Sequence, residues 1–269
     1  MPKITFTKMV ASGNDFIVVE RLANLPASRF KKTVREICDR KYAVGADGVL
    51  LLEKSKNADI RMRIFNADGS EAEMCGNGAR CIALYISRRG SAQKKIETMA
   101  GIIQAQVNGD NVKIKLTDPK DIKLDISLKV NNRELAVNFI NTGVPHTVIF
   151  VEGLQNIDVF DLGRQIRYHK KFAPAGTNVD FVEVFNNDSI GVRTYERGVE
   201  GETLACGTGV VAAALIADYK LRAADFRKIN VKTRSGEVLR VYFERVGSGF
   251  ENVWLEGRVK IAYTGAIKI

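Results

Sequence analysis

The chain has 269 residues, of which 45% are hydrophobic and 27% charged, the make-up of an ordinary globular protein with room for one large domain or two of about 130 residues. No run of 18 apolar residues occurs and Met1–Phe6 lacks the basic, apolar and small-residue order of a signal peptide, so no membrane partner and a cytoplasmic location are expected. The net charge of +10 is spread in clusters no longer than Lys31-Lys32, Arg88-Arg89 or Lys170-Lys171, which reads as a solvated basic surface and not as a nucleic-acid track.

In chain order, Lys3 to Met9 alternates apolar and polar residues, as a strand does. Ala46–Glu53 and Arg61–Asn66 follow. Cys75-Gly76-Asn77-Gly78-Ala79-Arg80 then opens an apolar segment, Cys81 to Ile86, expected to be a helix. Ile96–Gly101 comes next, then a turn at Asn108-Gly109-Asp110 and a strand over Val112 to Leu116. Asp118 to Leu135, with Pro119 and Asn131-Asn132, is expected to cross to a second half.

That second half repeats the first. Asn178–Val184 parallels Ala46–Glu53, Gly191–Glu196 parallels Arg61–Asn66, and Cys206-Gly207-Thr208-Gly209 opens Val210 to Ile216 as Cys75 opens its helix. Val231–Gly236 matches Ile96–Gly101, and Asn252–Leu255 matches Asn111–Ile114. The two cysteines stand 131 positions apart, near half the chain. Five matches in one order mark an internal duplication. The expected fold is α/β of the α+β kind: two pseudo-symmetric β-rich domains, each a mostly antiparallel sheet rolled around a central apolar helix. The expected boundaries are 1–118 and 119–261, with a last strand at about 262–269 returning to the first domain.

The cysteines number four: Cys38, Cys75, Cys81 and Cys206. There is no C-x-x-C, and the two histidines, His146 and His169, stand at no metal-ligand spacing to them. A disulfide framework, a thioredoxin-type pair and a zinc site are therefore not expected. A cysteine followed by Gly-x-Gly at a strand-to-helix turn sits beside free amides and the positive end of the helix, which favours a thiolate and can hold a carboxylate. For one such cysteine, a small packed residue at a helix start is an equal alternative. Two copies in a duplicated chain suit inversion at carbon, which needs a base on one face and an acid on the other.

At these residues the chain resembles the diaminopimelate epimerase family. The matching stretches are Ser12-Gly13-Asn14-Asp15-Phe16, Ile64 to Glu71, Met74 to Cys81, Pro145-His146, Gly176-Thr177-Asn178-Val179, and Tyr195-Glu196-Arg197-Gly198 through Thr203 to Gly209. The resemblance implies interconversion of LL- and meso-2,6-diaminopimelate, in lysine and peptidoglycan precursor biosynthesis, without a cofactor or metal, by a homodimer. It implies Cys75 and Cys206 as catalytic thiols, flanked by His146 and Glu196. Asn14, Asn66, Asn178, Glu196 and Arg197 become substrate contacts, Gly76-Asn77 and Gly207-Thr208 hold the carboxylate at the reacting centre, and Tyr263 becomes a dimer contact. Gly48 and Val144 depart from members that carry Gln and Asn there. The alternative within the class is a two-cysteine racemase or epimerase for another amino acid.

Overall fold

The computed structural model describes residues 3–20, 27–88, 90–131, 133–221 and 228–268. The chain divides into two units, Met1–Ile114 with Gly257–Ile269, and Lys115–Glu256.

In the first unit, β1 (Lys3–Ala11) and β2 (Asn14–Val19) form a hairpin. Helix α1 (Ala27–Cys38) carries the chain to β3 (Gly48–Glu53), which pairs with β2 in parallel. A parallel pair requires such a crossover. β4 (Ile60–Asn66) returns antiparallel to β3, the short β5 (Glu71–Ala72) folds back on β4, and α2 (Gly76–Ser87) follows. Then β6 (Gln93–Thr98) pairs parallel with β4, and β7 (Gly101–Asn108) and β8 (Asn111–Lys115) continue antiparallel. Gly109, at φ 57°, makes the expected turn between them.

The second unit follows the same plan. It comprises β9 (Lys120–Val130), β10 (Arg133–Asn141), β11 (Pro145–Phe150), α3 (Val159–Arg167), β12 (Asn178–Asn186), β13 (Ser189–Glu196), β14 (Gly201–Thr203), α4 (Gly207–Leu221), β15 (Lys228–Lys232), β16 (Val238–Val246) and the first part of β17 (Gly249–Lys268), whose residues from Gly257 on belong to the first unit. β11 pairs parallel with β12 across α3, and β13 pairs parallel with β15 across α4. The order matches β2, α1, β3 and β4, α2, β6. β9 flanks β10 as the end of β17, from Val259 to Lys268, flanks β1. The segment expected to cross between halves is thus largely a β9–β10 hairpin. Its alternating residues, such as Ile126, Leu128 and Val130, feed the second unit's core.

Two helices per unit do different work. α2 packs against β1, β2, β4, β6 and β7, and α4 against β10 to β13, β15 and β16. Asn77 to Leu84 are buried, and so are Val210 to Asp218. A helix apolar on all sides belongs in the middle of a rolled sheet. The crossover helices α1 and α3 cover the other sheet face, a pair of elements the sequence reading passed over. α1 buries Val34, Ile37 and Cys38 on Ile17, Val19, Val49 and Leu51. α3, capped by the Asp158 side chain accepting from the Asp161 amide at 3.0 Å, buries Val159 and Ile166 on Val179, Phe181 and Tyr195. The strands between two helices are covered on both faces, and their near-continuous apolar runs reflect that. Among the described residues, no helix is long and apolar enough to cross a membrane.

Candidate active site

Strand alternation decides which side chains face the central helices. In β12, Val179 and Phe181 turn to α3, so Asp180 turns to the start of α4. In β11, Ile149 turns to α3 and His146 to α4; in β13, Tyr195 turns to α3 and Thr194 and Glu196 away from it. Polar side chains therefore converge beside Cys206 from three neighbouring strands.

Cys206 directly precedes α4, and its carbonyl accepts from the Val210 amide at 2.9 Å. Cys75 precedes α2 in the same way: it is the N-cap residue in extended backbone, its carbonyl accepts from Ala79 at 2.8 Å, and its side chain makes no cap. The amides of Gly76 to Gly78 and Gly207 to Gly209 precede the first intrahelical donor, so they are the helix-start groups that favour an anion.

The second unit's cysteine belongs to a line of side chains. Cys206 Sγ lies 3.4 Å from Thr208 Oγ1, which lies 3.0 Å from His146 Nε2. His146 Nδ1 lies 2.7 Å from Asp180 Oδ2, and Thr194 Oγ1 donates to Asp180 Oδ1 at 2.7 Å. His146 and Asp180 are both 0% exposed. A carboxylate only accepts, so Nδ1 carries a ring proton, and a ring without a second proton accepts from Thr208 at Nε2. Gly209 makes room for this arrangement. A Cβ there would stand 2.4 Å from Asp180 Oδ1. Burial pushes the Cys206 thiol well above its ordinary range, with Glu196 and Asp180 adding to the rise; Thr208 and the Gly209 amide pull the other way. Burial likewise raises Glu196 above the usual carboxylate range.

Asn178 closes this half-site. Its Nδ2 donates to the Pro145 carbonyl at 3.0 Å, and its Oδ1 accepts from the Arg197 amide at 2.8 Å. The Arg197 guanidinium donates to the Ala175 carbonyl at 3.3 Å.

The first unit places different chemistry at matching positions. Phe16 registers with Gly48 as His146 does with Asn178, so Phe16 and Leu50 stand where the second unit has His146 and Asp180. Beside Cys75 runs another polar line. Asn77 Nδ2 donates to Asn14 Oδ1 at 2.6 Å, and Asn14 Nδ2 donates to Asp47 Oδ2 at 3.1 Å. The wholly buried Arg80 donates to Asn77 Oδ1 at 2.6 Å and Ser12 Oγ at 2.7 Å. Asn66 ends β4 and donates to Ser70 Oγ at 3.0 Å, apart from this line. Gly48 packs against the Phe65 carbonyl, 2.5 Å from where a Cβ would sit; a side chain there requires the strands to shift. Val144 lies in the turn before β11.

The other two cysteines are structural. Cys81 is 0% exposed within α2, and Cys38, in the α1 core, is pushed up to about 11 by burial. His169 lies on the surface, its Nδ1 accepting from the Lys171 amide at 3.2 Å. Tyr263, on β17, is 48% exposed with its ring edge-on to Phe6 at 6.0 Å.

The family model described as diaminopimelate epimerase matches residues 6–121 and 138–248. The chain belongs to that family. It is accordingly an isomerase by family. It is 43% identical to a diaminopimelate epimerase of Aquifex aeolicus over 97% of both chains. It is also 43% identical to one of Archaeoglobus fulgidus, over 87% of this chain and 88% of the other. Similar solved structures include a phenazine biosynthesis protein of the PhzF family from Bacillus anthracis, at TM-score 0.77, 18% identity and full coverage of both chains. A hydroxyproline epimerase from Agrobacterium vitis aligns at TM-score 0.69 and 16% identity, over 98% of this chain and 92% of that one. At those identities the two structures speak for the fold, which is the expected pair of similar β-rich domains.

Asp180, Thr194, Arg80, Ser12 and Asp47 were not singled out from sequence. Two of them had a legible signal: Asp180 is an acid inside the apolar Val179–Val182 run, and Arg80 a cation inside a helix apolar on every side.

Proposed function

We propose that the chain interconverts LL- and meso-2,6-diaminopimelate without a cofactor, Cys75 and Cys206 serving as base and acid. The observation that carries this reading is the repeat itself. The same strand–turn–helix delivers a cysteine to a helix start twice, and the two copies carry different polar surroundings.

The chemistry follows from those surroundings. The α-proton of an amino acid becomes removable when the electron pair can spread into the carboxylate. Helix-start amides aimed at that carboxylate stabilise the charge. One sulfur, as thiolate, takes the α-proton: a C–H bond breaks, an S–H bond forms, and the pair moves onto the carboxylate. The other sulfur, as thiol, returns a proton to the opposite face. After one turnover the roles are exchanged. Burial and two carboxylates favour the thiol at Cys206, which suits it to be the acid when Cys75 is the base. Thr208 suits both states of Cys206, because a hydroxyl accepts from S–H and donates to S⁻. When Cys206 is the thiolate, a proton on His146 completes the line from imidazolium to hydroxyl to sulfur, and Asp180 steadies that imidazolium. Asn14, Asn66, Asn178, Glu196 and Arg197 orient the substrate's two amino-acid ends, Arg197 suiting a carboxylate. The reading includes the pathway of lysine and peptidoglycan precursors, a cytoplasmic enzyme, and a homodimer contacted through Tyr263.

The test is incubation of the reduced protein with LL-diaminopimelate in D₂O. Meso product carrying one α-deuterium is expected. Absence of both exchange and inversion overturns the reading, and a panel of other amino acids, proline and hydroxyproline included, then separates the remaining two-cysteine activities. Light scattering on the parent and on Tyr263→Ala tests the dimer.

A further inference from the structure

The hydrogen-bond line beside Cys75 has a direction, imposed from both ends. Arg80 has only donors, so the oxygen of the Asn77 amide faces it. Asp47 as a carboxylate has only acceptors, so the nitrogen of the Asn14 amide faces it. Between them, Asn77 Nδ2 donates to Asn14 Oδ1 at 2.6 Å, the one arrangement consistent with both ends. The line runs from a buried cation to an anion, donor to acceptor throughout, and such chains reinforce each bond in turn. Both ends are held. Arg80 also donates to Ser12, while Asp47 accepts from the Asp15 amide at 3.1 Å and from Arg40 at 2.7 Å. Arg40 in turn grips Asp15 with two nitrogens, at 3.0 and 2.6 Å.

We infer that Arg80 and Asp47 are positioning residues that fix the polarity of the Asn77–Asn14 amide pair, and so make the Cys75 side of the site selective for a carboxylate. Each amide oxygen accepts within the line, and each Nδ2 spends one of its two N–H groups there, leaving the other for a ligand. A ligand group meeting the pair finds donors. A carboxylate oxygen fits them, and an ammonium does not. Turning either amide over would present an oxygen and invert that preference. The feature is not a by-product of the duplication. Val211 stands five residues past Cys206 where Arg80 stands five past Cys75, and Thr177 precedes Asn178 where Asp47 precedes Gly48. Neither can supply the corresponding charge.

The inference rests on the proposed amino-acid substrate for its consequence, but not for its geometry, and the experiment separates the two. In enzyme labelled with ¹⁵N-asparagine and free of ligand, the side-chain N–H groups of Asn14 and Asn77 are expected to exchange slowly with D₂O. Asp47→Asn and Arg80→Gln should each speed that exchange about tenfold or more, the loss expected for one charge-assisted bond. In turnover with diaminopimelate, both variants should raise KM about tenfold while kcat changes less than threefold. Arg80→Lys, which keeps a donor without an acceptor, should recover most of the loss seen with Arg80→Gln. The double variant Asp47→Asn/Arg80→Gln should raise KM little beyond either single change, because one line is broken only once. Unchanged amide exchange in both single variants overturns the inference whatever the substrate. Additive effects on KM, or Arg80→Lys no better than Arg80→Gln in a folded protein, overturn it as well. Should the amides respond while the parent fails to invert diaminopimelate, the proposed function falls and the directed line stands.

Discussion

Asp180→Asn tests the line behind Cys206 with almost no change of shape. The Asp180 carboxylate accepts from Thr194 Oγ1 at 2.7 Å and from His146 Nδ1 at 2.7 Å. An amide that keeps the Thr194 bond must turn its nitrogen to His146. The ring then has to accept at Nδ1 and carry its proton on Nε2. An imidazolium at His146 would face a donor where it had a carboxylate, so the state in which Cys206 is the thiolate loses its support. A hydrogen bond to a charged group contributes about 1.5–3 kcal/mol, which converts to roughly 10- to 150-fold in rate. The equilibrium between the two stereoisomers is a property of the substrates. It requires kcat/KM to fall by the same factor in both directions. The assay is the initial rate of inversion from each isomer, with a thermal melt alongside, since Asp180 is 0% exposed and about 1–3 kcal/mol of stability is at stake as well. A folded variant whose kcat/KM stays within twofold of the parent in both directions refutes the role given to Asp180 and His146.

Cys75→Ala and Cys206→Ala should each abolish inversion while leaving the melt nearly unchanged for the partly exposed Cys75; near-normal inversion by either, measured by polarimetry or chiral chromatography, removes the paired mechanism. Gly209→Ala should lower both stability and kcat, because its Cβ would stand 2.4 Å from Asp180 Oδ1 and 3.2 Å from Thr194 Oγ1, an overpacking cost of about 1–3 kcal/mol. Gly78→Ala meets the movable Leu50 methyl at 3.0 Å and should cost less in the same melts; the reverse order would contradict the packing described. Cys38, raised to about 11, and the buried Cys81 and Cys206, raised further, are all held neutral by burial. Groups raised on folding stabilise the protein below their unfolded pKa of about 8.5 and lose that contribution as pH climbs through the folded value. The melting temperature should therefore fall between about pH 8.5 and 11, and more gently in Cys38→Ala; equal slopes would deny Cys38 a part in it.

The duplication was legible because it repeats chemistry as well as pattern. Two C-G-x-G turns before apolar helices stand out where a strand of Val and Ile would not. The central helices were legible for the related reason that they are apolar on every side. The crossover helices were not, because α1 reads as a basic segment. Phe30, Val34, Ile37 and Cys38 do fall at helical spacing, but Lys31, Lys32 and Arg35 lie between them and Arg29 just before. The β9–β10 hairpin reads as a connection because Pro119 and Asn131-Asn132 punctuate it, and its alternation of Ile126, Leu128 and Val130 with Ser127 and Lys129 is short. His146 and Cys206 could be named from sequence, but their distance could not. Only the parallel register of β11 and β12 brings position 146 beside position 180, with Thr208 arriving from the start of α4, 62 residues on.

The end of β17 carries a consequence for how the chain is made and cut. Residues 259–268 pair with β1, some 250 residues earlier in the chain. During synthesis the first unit therefore waits for residues 259–268 before β1 gains a neighbour on that side, long after its other strands have been made. The second unit owns its counterpart, β9, from the outset. A circular permutant beginning at Gly257 and running through a linker into Lys3 would give the first unit its flanking strand at once, and a C-terminal truncation of a dozen residues would fall on the domain farthest from it in sequence.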